Sequence, residues 1–336
     1  MAEMTFAMAI EKALEQAMAS DETVIVFGED VELLRRNQFV RFGTSRVMNA
    51  PISESSFLGA AVGAAMAGLR PVVEIMLVDF LGVCFDALLN QAAKVGVFSG
   101  GKWDVPMVVR CSCGGGYGDG GQHEQCLWGL LAGVPGLSVV VPSNPADAAG
   151  LMLSAIQSEG PVVYLEHKLL SDYWLEYLGV GNRECVQFDV PPRGARGEVA
   201  VPISPVPIGK AHAVMEGSDL TIITLGVSVH RSLEAAARLS RRGIRPLVID
   251  LRTVAPLDTV AVIEAAGETG NVLVVDEDYM AFGLSGEIAA IVAESGARAK
   301  FARVATCGTI PYAIDQEASA LPNVDRIVQA ALDILT

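Results

Sequence analysis

Apolar and polar positions alternate along this chain in two rhythms, and their succession is regular. Over residues 6–18 apolar side chains recur at helical spacing, after which Thr23-Val24-Ile25-Val26-Phe27 makes a short β-branched run ending in Gly28-Glu29-Asp30. The same grammar predicts strands over 71–75, 105–110, 137–141 and 161–165, with helices over 80–94, 124–132 and 145–157 between them. From 173 to 207 the rhythm dissolves into a stretch holding Pro191, Pro192, Pro202, Pro205 and Pro207. Proline cannot donate to a central ladder, so this stretch reads as a crossing linker with edge strands. The rhythm resumes with strands over 219–225, 244–249, 271–275 and 300–304, helices over 228–241, 257–266 and 283–294, and a terminal helix over 324–335. Buried strands alternating with amphipathic helices imply a parallel sheet covered on both faces. The expected fold is α/β, with a parallel-sheet domain over 1–185, a linker over 186–207 and a smaller α/β domain over 208–336.

Composition narrows the class. Of the 336 residues 51 % are hydrophobic and 19 % charged, enough for more than one core. Mean hydropathy is +0.41, yet the longest uncharged apolar run, over 57–69, is too short for the ~18 residues that a membrane span needs. Excess apolar surface in such a chain points to an obligate protein interface. A net charge of -15 argues against nucleic acid and anionic membranes as partners. The six cysteines form no Cys-x-x-Cys pair and read as buried thiols in a reducing compartment. With no basic region and apolar core at the amino terminus, the expected location is cytoplasmic.

Ligands of open parallel sheets bind beyond the carboxyl ends of the strands, so the loops there are the candidates for chemistry. Glu54 stands just ahead of a small-residue helix that holds Gly59, Gly63 and Gly68; glycine is a poor helix former, so something is expected to approach that backbone closely, a ligand or a second subunit. The blander role for Glu54 is a first-turn carboxylate favoured by the helix dipole. The loop 110–123 has six glycines in fourteen residues and delivers His123 at its end, where an imidazole can serve as proton donor or acceptor.

Pro51-Ile52-Ser53-Glu54, the strings at 60–65, 68–76 and 90–94, Gln122-His123, Val134-Pro135-Gly136-Leu137, Pro142-Ser143 and Leu165-Glu166-His167-Lys168 carry a resemblance. Together with Pro256-Leu257-Asp258 and Pro311-Tyr312-Ala313 they make the chain similar, over essentially its whole length, to beta subunits of the thiamine-diphosphate-dependent component of 2-oxo acid dehydrogenase complexes. The resemblance implies a transketolase-like pyrimidine-binding domain followed by a domain of transketolase C-terminal type. It implies that Glu54 hydrogen-bonds the aminopyrimidine ring nitrogen and so promotes formation of the ylide, and that Phe80 stacks on the pyrimidine with Ile52 and Met76 lining the same apolar pocket, which would raise the Glu54 carboxyl pKa. His123 would handle the acyl adduct and its transfer to a lipoyl-bearing acyltransferase component. Mg2+ and the diphosphate would be held by an alpha subunit, in an alpha2-beta2 heterotetramer. Met107, Ala155, Ile156, Ser158 and Gly160 fall where relatives hold a structural potassium ion, although Ser158 and Gly160 replace the usual aspartate and asparagine.

Other departures bear on these expectations. Gly118-Asp119-Gly120 with Asn144 imitates the magnesium-diphosphate signature, but it stands inside the histidine loop. After Asp30 a short basic stretch, Leu33-Leu34-Arg35-Arg36-Asn37, replaces the family's longer loop, and Glu124 stands where serine is common, which would raise the His123 pKa if the two are close. The string 79–84 looks most like acetoin dehydrogenases, so pyruvate, a branched-chain 2-oxo acid and acetoin all stay open as substrates. Two other classes remain: a self-sufficient transketolase-type enzyme and a catalytically silent scaffold subunit.

Overall fold

The computed structural model describes residues 1–180, 190–191 and 193–336. The strands of the first half are β1 (Ala2–Thr5), β2 (Val24–Gly28), β3 (Val47–Asn49), β4 (Arg70–Leu77), β5 (Val108–Cys113), β6 (Ser138–Val140), β7 (Val162–His167) and β8 (Arg196–Val199). Those of the second half are β9 (His212–Met215), β10 (Leu220–Thr224), β11 (Pro246–Asp250), β12 (Thr253–Ala255), β13 (Asn271–Tyr279) and β14 (Lys300–Thr306). The main sheet has the order β12-β6-β7-β5-β4-β2-β3, and every pair in it is parallel except β12 with β6. Strands β2, β5 and β7 are buried at every position, which explains their unbroken apolar runs. Helices Phe6–Ser20 and Pro145–Gln157 seal one face against Val24, Val72, Val108 and Val162. Helix Glu54–Met66 seals the other through Phe57, Leu58, Ala61 and Val62 against Val73, Val109 and Val163.

The second sheet has the order β14-β13-β10-β11-β9, parallel but for β9. Its inner face does not close on itself. Ile223, Val272, Val274 and Ile288 belong to the same buried cluster as Phe57 and Leu58, so the two halves share one apolar core. Strand β12, from the second half, extends the first sheet.

The stretch read as a crossing linker with edge strands holds the edge strand β8, which pairs antiparallel with β1, and also a helix, Asp172–Val180, that the reading did not include. Residues 181–189 and Pro192 of that stretch lie outside the described residues. The helix expected over 124–132 begins only at Trp128, and the one over 80–94 is a broken rod. Cys84 departs from helical φ/ψ there and Ala87–Ala92 is a π-helix. By length and composition the segment Val78–Phe98 could cross a membrane, but Leu81, Cys84, Leu88 and Ala92 are buried in the shared core.

The short basic stretch after Asp30 also has a structural use. It folds as helices Val31–Leu34 and Arg36–Phe42, and between them Arg35 enters the sheet. Arg35 binds Glu74 of β4 through two bonds of 2.6 Å and Glu11 at 2.8 Å. Arg110 of β5 reaches Glu11 at 3.1 Å and Glu166 of β7 at 2.9 Å. Burial pushes the Glu74 carboxyl upward, but Arg35 and Arg110 outweigh it and hold it below the ordinary 4.5. Its contribution to stability is therefore full above that pH and lost as pH falls through the lower folded value.

The expected potassium site is corrected by Arg70. Its Nη1 donates to Ile156 O and Ser158 O, each at 3.0 Å, so a guanidinium already supplies the positive charge at the carboxyl end of helix Pro145–Gln157. Met107 O accepts from Val162 N at 2.9 Å, Ala155 O from Ser158 N at 3.3 Å, and Gly160 N donates to Ser158 Oγ at 3.2 Å. These residues do not fit a potassium ion.

Arg110→Met leaves Glu11, Glu74 and Glu166 short of a cation, and the free energy of unfolding should fall by about 3–5 kcal/mol, read from the urea midpoint. An unchanged midpoint would mean that the network is not a stabilising unit. Thermal melts in KCl and NaCl should coincide, whereas stabilisation by potassium alone would restore the ion site.

Candidate functional site

Helix Glu54–Met66 starts without a side-chain cap on its amides, since Ser53 Oγ turns to Ser56 Oγ at 3.0 Å. Glu54, half-buried in the first turn, faces the positive end of the helix dipole. Its charge is felt from two sides. Burial first, and then Glu54, push the Cys84 thiol up to about 12, while burial, Asp30 and Glu54 together raise the Glu29 carboxyl. Glu54 thus lies between the end of β2 and the helix that follows β4. Ser55 Oγ bonds Val83 O and fixes that junction. Beyond it the helix face is open: a Cβ placed on Gly59 or Gly63 would meet nothing within 4 Å. Among the described residues of this chain nothing approaches the glycines as their presence suggested.

Strand β4 turns through Val78–Phe80, a 3-10 turn, and brings Phe80 edge-on to His123, with ring centroids 5.7 Å apart at 79°. His123 Nδ1 and Asp79 Oδ2 are buried and have no partner among the described residues. The other oxygen of Asp79 accepts from Gln125 Nε2 at 2.6 Å, and Gln125 accepts from Tyr279 OH at 2.7 Å. Both atoms belong to residues beside Phe80, Asp79 by sequence and His123 by ring contact, and a ligand with hydrogen-bonding groups would satisfy them. Ile52, 75 % exposed, and Val83, 64 % exposed, leave the rim apolar and open. Met76 lies apart from this group. It lines a cavity of about 500 Å3 with Glu29, Leu33, Leu34, Tyr173 and Trp174, to which Glu54, Ile52, Phe80 and His123 contribute no wall.

The histidine loop is held by carboxylates. Gly115 N donates to Glu277 at 2.9 Å; Gly116 N and Gly118 N donate to Glu317 at 2.5 and 3.1 Å; Tyr117 N and Gly120 N donate to Glu124 at 3.1 and 2.9 Å. The glycines are needed for close approach. A Cβ on Gly114, at φ +93°, would lie 1.9 Å from His167 Nε2, and one on Gly120, at φ +71°, would strike the Tyr312 ring at 2.7 Å. Buried Lys168 bonds Tyr117 OH and His123 O, and Tyr117 OH also donates to His123 O at 2.7 Å.

Two expectations change as a result. The amides around Gly118-Asp119-Gly120 are occupied by Glu124 and Glu317, and Asn144 caps helix Pro145–Gln157 by accepting from Asp147 N at 3.0 Å, so this motif is not a diphosphate cradle. Glu124 does not serve as a counter-ion for the imidazole: its carboxyl is turned into the loop, where burial and Glu317 push it up to about 8. Sequence reasoning missed Glu317, Gln125 and the buried Lys168. A lysine directly after a continuous strand was the one local signal; Glu317 gave none.

Comparisons with known proteins identify the fold and the family. Residues 2–172 match the family of the transketolase pyrimidine binding domain, and residues 209–327 that of the transketolase C-terminal domain. The chain is 37 % identical to the acetoin:2,6-dichlorophenolindophenol oxidoreductase subunit beta of Bacillus subtilis, over 97 % of this chain and 96 % of that one. It is 36 % identical to the 2-oxoisovalerate dehydrogenase subunit beta of the same species, over 99 % of both. It is 38 % identical to the pyruvate dehydrogenase E1 component subunit beta of Staphylococcus epidermidis, over 98 % of both. Its fold is similar to a solved split-gene transketolase described as an inactive beta4 tetramer, with a TM-score of 0.79 and 21 % identity over 99 % of this chain and 98 % of that one. With both transketolase domains in order and full-length likeness to three kinds of subunit, the chain belongs to the family of E1 beta subunits of 2-oxo acid and acetoin dehydrogenases.

Proposed function

We propose that this chain supplies the pyrimidine half of a thiamine diphosphate site that an alpha subunit completes, in an oxidoreductase that passes an acyl group from a 2-oxo acid or acetoin to a lipoyl-bearing acyltransferase. The observation that carries the reading is the unpartnered pair of buried atoms, His123 Nδ1 and Asp79 Oδ2, beside Phe80 on an open apolar rim. The residues present fit the group. Bound thiamine diphosphate supplies the electron sink for cleavage next to a carbonyl.

This chain's own residues bind the cofactor and move protons. Glu54, held at a helix start, would keep a proton at the aminopyrimidine ring nitrogen. Phe80 would pack against the pyrimidine face, with Ile52 closing the edge, and such an aromatic contact contributes about 0.5–1.5 kcal/mol beyond its buried area. His123, with Nδ1 unpartnered and its carbonyl fixed by Lys168, would donate or accept a proton at the substrate oxygen during acyl transfer. The amides of the histidine loop are taken by Glu124, Glu277 and Glu317 of this chain, which favours Mg2+ and diphosphate binding by the alpha subunit. The exposed small face at Gly59 and Gly63 and the open rim suit close packing by that subunit in an alpha2-beta2 assembly. The three kinds of relative lie within 36–38 % identity, so likeness alone does not select among pyruvate, branched-chain 2-oxo acids and acetoin.

Co-expression with an alpha subunit, followed by dye-coupled oxidation of the three substrate classes, tests the reading. Turnover should require both chains, and Glu54→Gln should lower it by about 10²-fold or more. Full turnover by this chain alone would favour a self-sufficient transketolase-type enzyme, and an unaffected Glu54→Gln would favour a silent scaffold.

A further inference from the structure

Lys168 exposes no surface, yet its ammonium is bonded to two neutral groups, the Tyr117 hydroxyl and the His123 carbonyl. Taking a charge out of water is costly unless strong partners offset it, so a lysine kept here needs a reason beyond filling space. The carbonyl does not need it merely to be satisfied, because Tyr117 OH already donates to His123 O at 2.7 Å. The ammonium also lies 4.2 Å from the centroid of the Tyr117 ring, a cation–π contact. Ammonium, phenol and carbonyl thus close a triangle on one backbone oxygen.

The two ends of this clamp differ in how they are held. Lys168 opens the 3-10 turn Lys168–Leu170 directly after β7, and its neighbour His167 is fixed at both ring nitrogens: Nδ1 accepts from Leu169 N at 3.2 Å, and Nε2 meets Glu277 at 2.9 Å. His123 stands instead at the end of the glycine-rich loop, and its amide turns back into that loop, to Gly120 O at 3.1 Å. Its Nδ1 has no partner among the described residues, and its ring meets Phe80 edge-on. The backbone therefore decides where the imidazole points, and the clamp ties that backbone to the end of a central strand. We propose that Lys168, together with Tyr117, is the positioning pair that holds His123 in register for acyl transfer, so that loss of the pair uncouples transfer from the cleavage that precedes it. This rests on the role given to His123 above and names the residues on which that role depends.

Cleavage draws on Glu54 and Phe80, which belong to helix Glu54–Met66 and to the turn after β4, outside the clamp. Transfer asks more of His123. In that step a lipoyl disulfide takes up the two electrons released as the acyl carbon is oxidised. Its S–S bond breaks, one sulfur bonds the acyl carbon, and the other takes a proton while the substrate oxygen gives one up. An imidazole displaced by about 1 Å handles such a proton about 10²-fold less well.

The co-expressed assembly provides the test. Lys168→Met keeps the length and burial of the side chain without its charge, and leaves Tyr117 OH as a donor to His123 O. Turnover with free lipoamide as acceptor should fall by about 10²-fold, and at least about tenfold more than turnover with a dye as acceptor. Hydrogen exchange of peptide 118–125, followed in the assembly without cofactor, should quicken by about tenfold. Tyr117→Phe keeps the ring under the ammonium and removes the hydroxyl; it should move both readouts in the same direction, and it serves if the methionine variant fails to fold. An equal fall with lipoamide and dye would mark a merely structural lysine and overturn the proposal. Unchanged exchange would overturn it too, whatever turnover does. His123→Ala separates the two claims. If it loses lipoamide turnover while Lys168→Met and Tyr117→Phe keep theirs, the clamp is wrong and the role of His123 stands; if it keeps lipoamide turnover, the clamp falls together with that role.

Discussion

Burying a glycine-rich loop between two α/β halves is tolerable only if its amides find acceptors, because an unsatisfied buried N–H costs about 1–3 kcal/mol. Here five amides between Gly115 and Gly120 are met by three carboxylates, Glu277 on β13, Glu317 on a helix near the carboxyl terminus, and Glu124 in the loop itself. The rest of the site depends on this arrangement. It holds the loop in the cleft between the sheets, sets the carbonyl of His123 against Lys168, and brings the imidazole edge-on to Phe80. It also turns a loop that looks made for phosphate into one that cannot accept it.

The same economy of partners explains why the site is half a site. Arg35 is matched by Glu74 and His167 by Glu277 within the chain, whereas His123 Nδ1 and Asp79 Oδ2, on residues beside Phe80, find no partner among the described residues. The small residues on the outer face of helix Glu54–Met66 make the same point sterically, since no described residue comes within 4 Å of a Cβ placed on Gly59 or Gly63. Chemistry and packing both ask for a second chain at this edge.

Much of this was legible in the sequence. Helices Pro145–Gln157 and Val324–Leu335 are bounded where the apolar rhythm places them, with Asn144 and Asn323 capping them in the structure, and the buried strands betray themselves by β-branched runs. Phe80 and His123 are neighbours, whereas Met76, expected beside Phe80, lines a separate cavity. What stayed hidden depends on distant partners. Strand β12 joins a sheet built by the other half, β8 needs β1, and Arg35 gains meaning only when Glu74 and Glu11 converge on it. Glu124 looked like a counter-ion for its neighbour because nothing in its local sequence announces Glu317. Arg70 at the expected potassium site was hidden for the same reason: it lies far from Ile156 and Ser158 in the chain and binds both.

The central claim is that cofactor binding is shared between two chains. Calorimetric titration of thiamine diphosphate, with Mg2+ present, into this chain alone, the alpha subunit alone and the co-expressed pair tests it most directly. The account predicts tight binding by the pair and little by either chain alone. Equal affinity for this chain by itself would contradict it.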